Sequence, residues 1–139
     1  MTKKVKKPLS VTFLILIVLI ISVSNLIRLI QTVRQWDFVR ELIYINPIYL
    51  VISGLIWGIF GILLVWGLWK PERWSILIAK IGVILYLAYL WIDRLLISTN
   101  QADFKGSLIA VLISIIVLVW IFWMFSRHGV KDYFGVANE

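Results

Sequence analysis

The chain has 139 residues, of which 62% are hydrophobic and 15% are charged, whereas an ordinary soluble domain is about 45–50% apolar and about 25% charged. This composition excludes a disordered chain and predicts a single membrane domain over residues 1–139. The net charge of +7 would suggest nucleic-acid binding in a soluble protein, but the positions of the charges indicate membrane topology, so no nucleic-acid partner is predicted. The chain has no cysteine and one histidine, which excludes thiol chemistry and metal sites built from several cysteines or histidines.

Four apolar stretches are long enough to cross a bilayer, whose hydrocarbon core of about 30 Å requires about 20 helical residues. Because backbone polar groups in lipid must be satisfied within the segment, each stretch is predicted to be a helix. We name them spans 1 to 4, at residues 9–30, 48–69, 75–97 and 107–125. The predicted fold is therefore all-α, an antiparallel bundle of four transmembrane helices.

Span 1 follows a basic N-terminal run, but its apolar stretch exceeds the about 7–15 residues of a signal-peptide core, so we expect it to remain as a membrane helix. Asn25 and Arg28 are three residues apart and share one face of this helix. Because an ionisable side chain inside a membrane is costly, Arg28 predicts that this face turns away from lipid.

The first outer loop has helical periodicity at residues 34–45, where Trp36, Val39 and Ile43 lie on one side and charged residues on the other. This pattern predicts a short amphipathic segment on the outer membrane surface. A tilted continuation of span 1 is the alternative, and Pro47 ends the segment in both cases.

Span 2 contains Gly54, Gly58 and Gly61, which are four and then three residues apart and therefore share one helical face. Small residues let helix backbones approach closely and favour helix association in lipid. We expect this glycine face to pack inside the bundle, with Ala79 and Gly82 of span 3 as the suggested partner surface. The alternative is an interface with a second copy or with another membrane protein.

Span 3 follows a short connection and is expected to lie beside span 2. Its Tyr86, Tyr89 and Asp93 are three and four residues apart and share one face, and Arg94 follows directly. With a cytoplasmic N-terminus, which the distribution of basic residues predicts below, spans 1 and 3 both run outward, so Arg28 and Asp93 should reach nearly the same depth in the membrane.

The polar faces of spans 1 and 3 are predicted to meet in a polar cluster. Its candidate members are Asn25, Arg28, Tyr86, Tyr89, Asp93 and Arg94. Three interpretations stay open for the two central charges. Arg28 and Asp93 form an ion pair that stabilises the bundle, or the same pair lines a functional cavity open to the outside, or each charge reaches the headgroups separately.

The distribution of Lys and Arg predicts that both termini are cytoplasmic, because cytoplasmic loops are enriched in these residues. Eight of them would lie inside and three outside the membrane. The inner ones are Lys3, Lys4, Lys6, Lys7, Lys70, Arg73, Arg127 and Lys131, and the outer ones are Arg34, Arg40 and Lys105. Lys80, within span 3, is expected to extend to the inner headgroups. Aromatic residues near both ends of the spans are typical of the belts that anchor helices at the lipid headgroups.

Short motifs over the full length carry a resemblance to a known group. They are Lys7-Pro8-Leu9-Ser10-Val11-Thr12, Asn25-Leu26-Ile27-Arg28-Leu29, Arg34-Gln35-Trp36-Asp37-Phe38, Gly67-Leu68-Trp69-Lys70, Trp91-Ile92-Asp93-Arg94-Leu95 and Tyr133-Phe134-Gly135. With these motifs the chain resembles small four-helix bacterial integral membrane proteins of unknown function. The resemblance implies a multi-pass protein of the bacterial plasma (inner) membrane, and it implies no activity.

The sequence contains no nucleophile–base set, zinc-protease motif, phosphate-binding loop or dinucleotide fingerprint, so we predict no enzyme, cofactor or metal. The leading prediction is a structural or accessory integral membrane protein that packs against itself or a larger membrane complex within the lipid bilayer. The alternative is a small oligomeric transporter or channel with an outward-facing polar vestibule around Arg28 and Asp93. A polar route across the bundle would distinguish the alternative from the leading prediction.

Overall fold

The computed structural model describes residues 6–42, 46–97 and 104–135, and within these ranges the chain forms helices and no strand. The helices are α1 (Leu9–Arg34), α2 (Trp36–Leu42), α3 (Pro47–Trp69), α4 (Arg73–Ile97), α5 (Phe104–Ser126) and α6 (His128–Tyr133). Helices α1, α3, α4 and α5 are long and apolar enough to cross a membrane. The all-α prediction and the prediction of four such helices are confirmed, and they indicate a multi-pass membrane protein.

Local sequence explains where the membrane-length helices begin and end. α3 starts at Pro47, where the missing N–H of proline costs least, and the Asn46 side chain accepts a hydrogen bond from the Ile48 N–H at 3.1 Å. α1 extends beyond its predicted end at residue 30 to Arg34. The apolar pattern of span 1 ends at residue 30, but the helix continues through the more polar residues 31–34.

The segment after α1 forms a separate short helix. Gln35 leaves the helical conformation, with φ −115° and ψ 38°, and α2 then begins at Trp36. None of the α2 residues is buried against the rest of the protein, and the side chains of Phe38 and Leu42 are 60% and 62% exposed. Residues 43–45, which complete the segment predicted from the sequence, lie outside the described residues.

The glycine face of α3 packs against α1. A Cβ added at Gly61 would lie 2.6 Å from the Cβ of Ser22, and one added at Gly54 would lie 2.9 Å from the backbone oxygen of Asn25. The Ser22 hydroxyl also donates a hydrogen bond of 2.6 Å to the backbone oxygen of Gly58. The missing side chains therefore allow two helix backbones to approach closely.

Ala79 and Gly82 of α4 do not form the partner surface suggested for the glycines. A Cβ added at Gly82 would lie 2.8 Å from the Phe60 ring of α3, while Ala79 is buried in the apolar core. α3 therefore packs on two faces. Its glycines contact α1, and its Phe60 contacts α4. Periodicity in the sequence identifies a close-packing face, but it carries no information on which neighbouring helix occupies that face.

The apolar core lies at the end of the protein where α1 begins and α3 ends. Its fully buried side chains include Val11, Leu68 and Phe125. Helix α6 closes this end, because Phe134 directly after it is 1% exposed and its ring centroid lies 6.4 Å from that of Phe125. The Tyr133 hydroxyl donates a hydrogen bond of 3.1 Å to the backbone oxygen of Trp69. The segment after α5 is thus part of the core.

Basic side chains lie over tryptophan rings at this same end. The pairs are Lys7 over Trp69 at 3.9 Å, Lys70 over Trp66 at 4.8 Å and Arg127 over Trp123 at 4.4 Å from the ring centroid. Such cation–π contacts stabilise by about 0.5–1 kcal/mol each at exposed sites. Lys80, further along α4, places its ammonium group 5.5 Å from the centroid of the Phe122 ring.

Candidate functional site

The polar cluster lies where α1, α3 and α4 meet, at the opposite end of these helices from the apolar core. The second half of α1 contributes Asn25 and Arg28, and the second half of α4 contributes Tyr86, Tyr89 and Asp93. The first half of α3 completes the cluster on the third side. Five of the six residues predicted for the cluster are therefore brought together.

An ion pair between Arg28 and Asp93 joins α1 to α4. The Nη2 atom of Arg28 lies 3.2 Å from each carboxylate oxygen of Asp93, so one guanidinium nitrogen contacts both oxygens. The side chain of Arg28 is 32% exposed and that of Asp93 is 15% exposed. Opposite charges in this partly buried position neutralise each other, which removes much of the cost of holding them within a membrane-length helix.

The Tyr89 hydroxyl extends this pair to α3. It accepts a hydrogen bond of 3.0 Å from Nη1 of Arg28 and donates one of 3.3 Å to the hydroxyl of Ser53. Three helices are thereby connected through a single hydroxyl group. A buried polar network in which each member has a partner rigidifies the helices around it.

Asn25 and Tyr86 form a second link between α1 and α4. The side-chain amide of Asn25 donates hydrogen bonds to the Tyr86 hydroxyl at 3.3 Å and to the backbone oxygen of Ile21 at 2.8 Å. The Trp57 ring of α3 packs against both tyrosines, with centroid distances of 4.9 Å to Tyr86 and 5.5 Å to Tyr89. The aromatic rings thus cover the side of the cluster that faces the protein interior.

Arg94 makes a different contact from the one predicted. Its guanidinium carbon lies 5.9 Å from the centroid of the Trp91 ring, and no hydrogen bond or ion pair joins it to the described members of the cluster. Adjacent residues on a helix point about 100° apart because a turn contains 3.6 residues. Asp93 and Arg94 therefore cannot both face α1.

Two members of the cluster were not predicted from the sequence. Ser53 and Trp57 are four residues apart on α3 and share a face with Tyr49. This spacing indicates a second face of span 2 that carries polar groups, beside the face formed by its glycines. The Tyr49 hydroxyl is buried and has no hydrogen-bond partner among the described residues.

The cluster is suited to holding helices together. It pairs its two charges with each other, and the side chains of Asn25, Tyr86 and Tyr89 form hydrogen bonds within it. Over the described ranges, no group of three or more His, Cys, Asp or Glu residues could hold a metal ion. Comparisons of the chain with protein-family models, curated proteins and solved structures found no match.

The Tyr89 hydroxyl provides a direct test of the network. We expect Tyr89→Phe to reduce the free energy of unfolding by about 1–2 kcal/mol, because it removes the hydrogen bonds that join this hydroxyl to Arg28 and Ser53. Equilibrium unfolding in a mild detergent measures the change. Tyr133→Phe is the control, since its hydrogen bond to Trp69 is exposed and its loss should cost less. A Tyr89→Phe protein as stable as the unmodified chain would show that the network contributes no stability.

Proposed function

We propose that this chain is a structural or accessory integral membrane protein that packs against a larger membrane complex or against a second copy of itself. The observation that carries the proposal is that the side chains of the polar cluster bind one another across three helices. Arg28 and Asp93 form the ion pair, and Tyr89 links that pair to Ser53. Charges that are paired in this way hold the helices together and are not available to a substrate.

The architecture that belongs to this proposal is an antiparallel bundle of four transmembrane helices in a bacterial plasma membrane. Both termini are cytoplasmic, in agreement with the basic side chains near Trp66, Trp69 and Trp123 at the end that would face inward. Helix α2 lies on the outer surface as a short amphipathic segment. A reporter fused after Glu139 that is active only outside the cell would contradict this orientation.

Helix α5 supplies the surface that we propose for packing. From Leu108 to Trp120 none of its side chains is buried within the protein, and Ile116 is 64% exposed. An apolar helix surface gains little by leaving lipid for protein unless close packing compensates. A partner or a second copy that packs closely against α5 would supply contacts to its exposed side chains, such as Ile116 and Val119.

Cysteine cross-linking tests this surface directly, because the natural chain contains no cysteine. We expect Ile116→Cys in native membranes to form a disulfide with a second copy, or a maleimide cross-link to another membrane protein. The matched control is Ile20→Cys on α1, which is 65% exposed and should remain unlinked. If both variants give only monomers, or if both cross-link equally, α5 is not a specific packing surface.

A transporter or channel is the second candidate, and the 32% exposure of the Arg28 side chain is the observation that favours it. Transport would require water to pass the polar cluster and continue beyond Tyr86. We therefore expect Tyr86→Cys to be protected from a charged thiol reagent if the protein is structural. Modification of this cysteine from both sides of the membrane would favour the transporter and contradict the structural proposal.

A further inference from the structure

An apolar cavity lies among the four membrane-length helices, beside the polar cluster. Its volume is about 270 Å³, and its lining atoms are almost all carbon. Each of the four helices contributes to it, and the lining includes Leu14 of α1, Phe60 of α3, Val83 of α4 and Val117 of α5. The cavity lies between the helices and opens toward the surrounding lipid, since Leu90 and Ile113 of its lining are 40% and 56% exposed.

The cavity is elongated along the helices. Its α4 lining runs from Ala79 to Leu90, and at about 1.5 Å per residue this stretch is about 16 Å long. A volume of about 270 Å³ spread over this length makes the space narrow. Such a shape fits one flexible chain better than a compact ring system.

The lining chemistry excludes water as a stable occupant. A buried water needs about two to four polar partners, whereas an apolar cavity of about 150 Å³ stays dry and binds apolar molecules. Tyr86 is part of the lining, and its hydroxyl already accepts a hydrogen bond from Asn25. The Trp57 ring also lines the cavity and separates it from Tyr89. A hydrocarbon occupant would satisfy the lining, and lipid chains surround a membrane protein at high concentration.

We propose that this cavity binds one hydrocarbon chain, supplied by a membrane phospholipid. The chain lies along α4 between Ala79 and Leu90 and contacts Phe60 and Val117 across the cavity. The aromatic rings of Trp57 and Tyr86 form the boundary between the bound chain and the polar cluster. The bound chain fills space that the side chains leave empty, and it thereby contributes dispersion contacts that an empty cavity would lack.

Photolabelling of the full chain tests the site. The protein is reconstituted in phosphatidylcholine vesicles that contain a phosphatidylcholine with a diazirine in one acyl chain, and labelled residues are mapped by proteolysis and mass spectrometry. We expect labels on Val83, which lines the cavity, as well as on Ile84, which is 49% exposed on the outer surface. Labels on Ile84 without labels on Val83 would overturn the proposal.

A cavity-filling substitution distinguishes a bound chain from surface lipid. Val117→Phe places a ring in the cavity, and we expect labelling of Val83 to fall about tenfold or more while labelling of Ile84 stays unchanged. Val119→Phe is the matched control on the same helix, because Val119 is 63% exposed and its ring would enter lipid. Unchanged labelling of Val83 in Val117→Phe would overturn the proposal.

A second pair of variants covers the case in which the Val117→Phe chain does not fold. Ala79→Leu fills the cavity from α4, and Ala88→Leu adds the same side chain to an exposed position of that helix. We expect only Ala79→Leu to lose the Val83 label. Equal Val83 labelling in these two variants would contradict the site.

A parallel experiment identifies the source of the bound hydrocarbon chain. In it, a diazirine-bearing palmitic acid replaces the labelled phospholipid. Labelling of Val83 by the phospholipid supports the proposal as stated. Labelling by the fatty acid alone overturns the phospholipid source and assigns the cavity to a free fatty acid.

Discussion

Replacing Arg28 and Asp93 with alanine one at a time is expected to cost more stability, summed over the two variants, than replacing both in one protein. Each single substitution leaves an unpaired charge between α1 and α4, whereas the double substitution removes both charges. Loss of one partner of a fully buried pair costs about 3–5 kcal/mol, and solvent screening at this partly exposed pair lowers the expected cost to about 2 kcal/mol. The Tyr89 hydroxyl, 3.0 Å from Arg28, would lose a partner in the Arg28 variant only.

A double-mutant cycle measures this coupling. The free energies of unfolding of the unmodified chain, Arg28→Ala, Asp93→Ala and the double variant are compared in one mild detergent, and the departure from additivity gives the pair energy. Arg94→Ala is the control, because Arg94 is adjacent to Asp93 in sequence but lies over the Trp91 ring. We expect that control to change stability by less than about 0.5 kcal/mol. Additive effects of the two single substitutions would rule out the ion pair as a source of stability.

Helical periodicity predicted most of the polar cluster because the members on each helix repeat at three or four residues. Asn25 and Arg28 share a face of α1, and Tyr89 and Asp93 share a face of α4, so a contact between the two faces assembles them. Ser53 belongs to a third helix, and the spacing of Tyr49, Ser53 and Trp57 places them on one face without showing which helix that face contacts. Periodicity thus orders residues within one helix, while contacts with a third helix depend on packing.

The buried position of Phe134 shows a second limit of prediction from sequence. The residues that follow α5 include charged side chains, which are typical of a segment in contact with water. Their apolar members nevertheless enter the core, where Val130 is 2% and Phe134 is 1% exposed. The segment can do so because α6 is short and turns the chain back over Phe125. A segment this short, folded back over the core, has too few residues to show a repeating apolar pattern in the sequence.

Gly61 packs directly against α1 and should tolerate a side chain poorly, so Gly61→Val is expected to cost about 3 kcal/mol through overpacking. A Cβ at this position would lie 2.6 Å from the Cβ of Ser22, and that atom is fixed to the backbone of α1. The added methyl groups would also disturb the hydrogen bond from Ser22 to the Gly58 carbonyl. We therefore expect α1 and α3 to separate or shift, with a lower free energy of unfolding in detergent.

The three glycines of this face should differ in a predictable order. Gly54→Val meets the backbone oxygen of Asn25 and should cost about as much as Gly61→Val, because a backbone atom cannot move aside. Gly58→Val meets the side chain of Leu26 instead, and that side chain can change rotamer. Gly129→Val in α6 is the control, since no atom lies within 4 Å of its added Cβ. Equal costs at Gly54, Gly58 and Gly61 would indicate a general sensitivity of α3 to valine, whereas the expected order ties the cost to close contact with the α1 backbone.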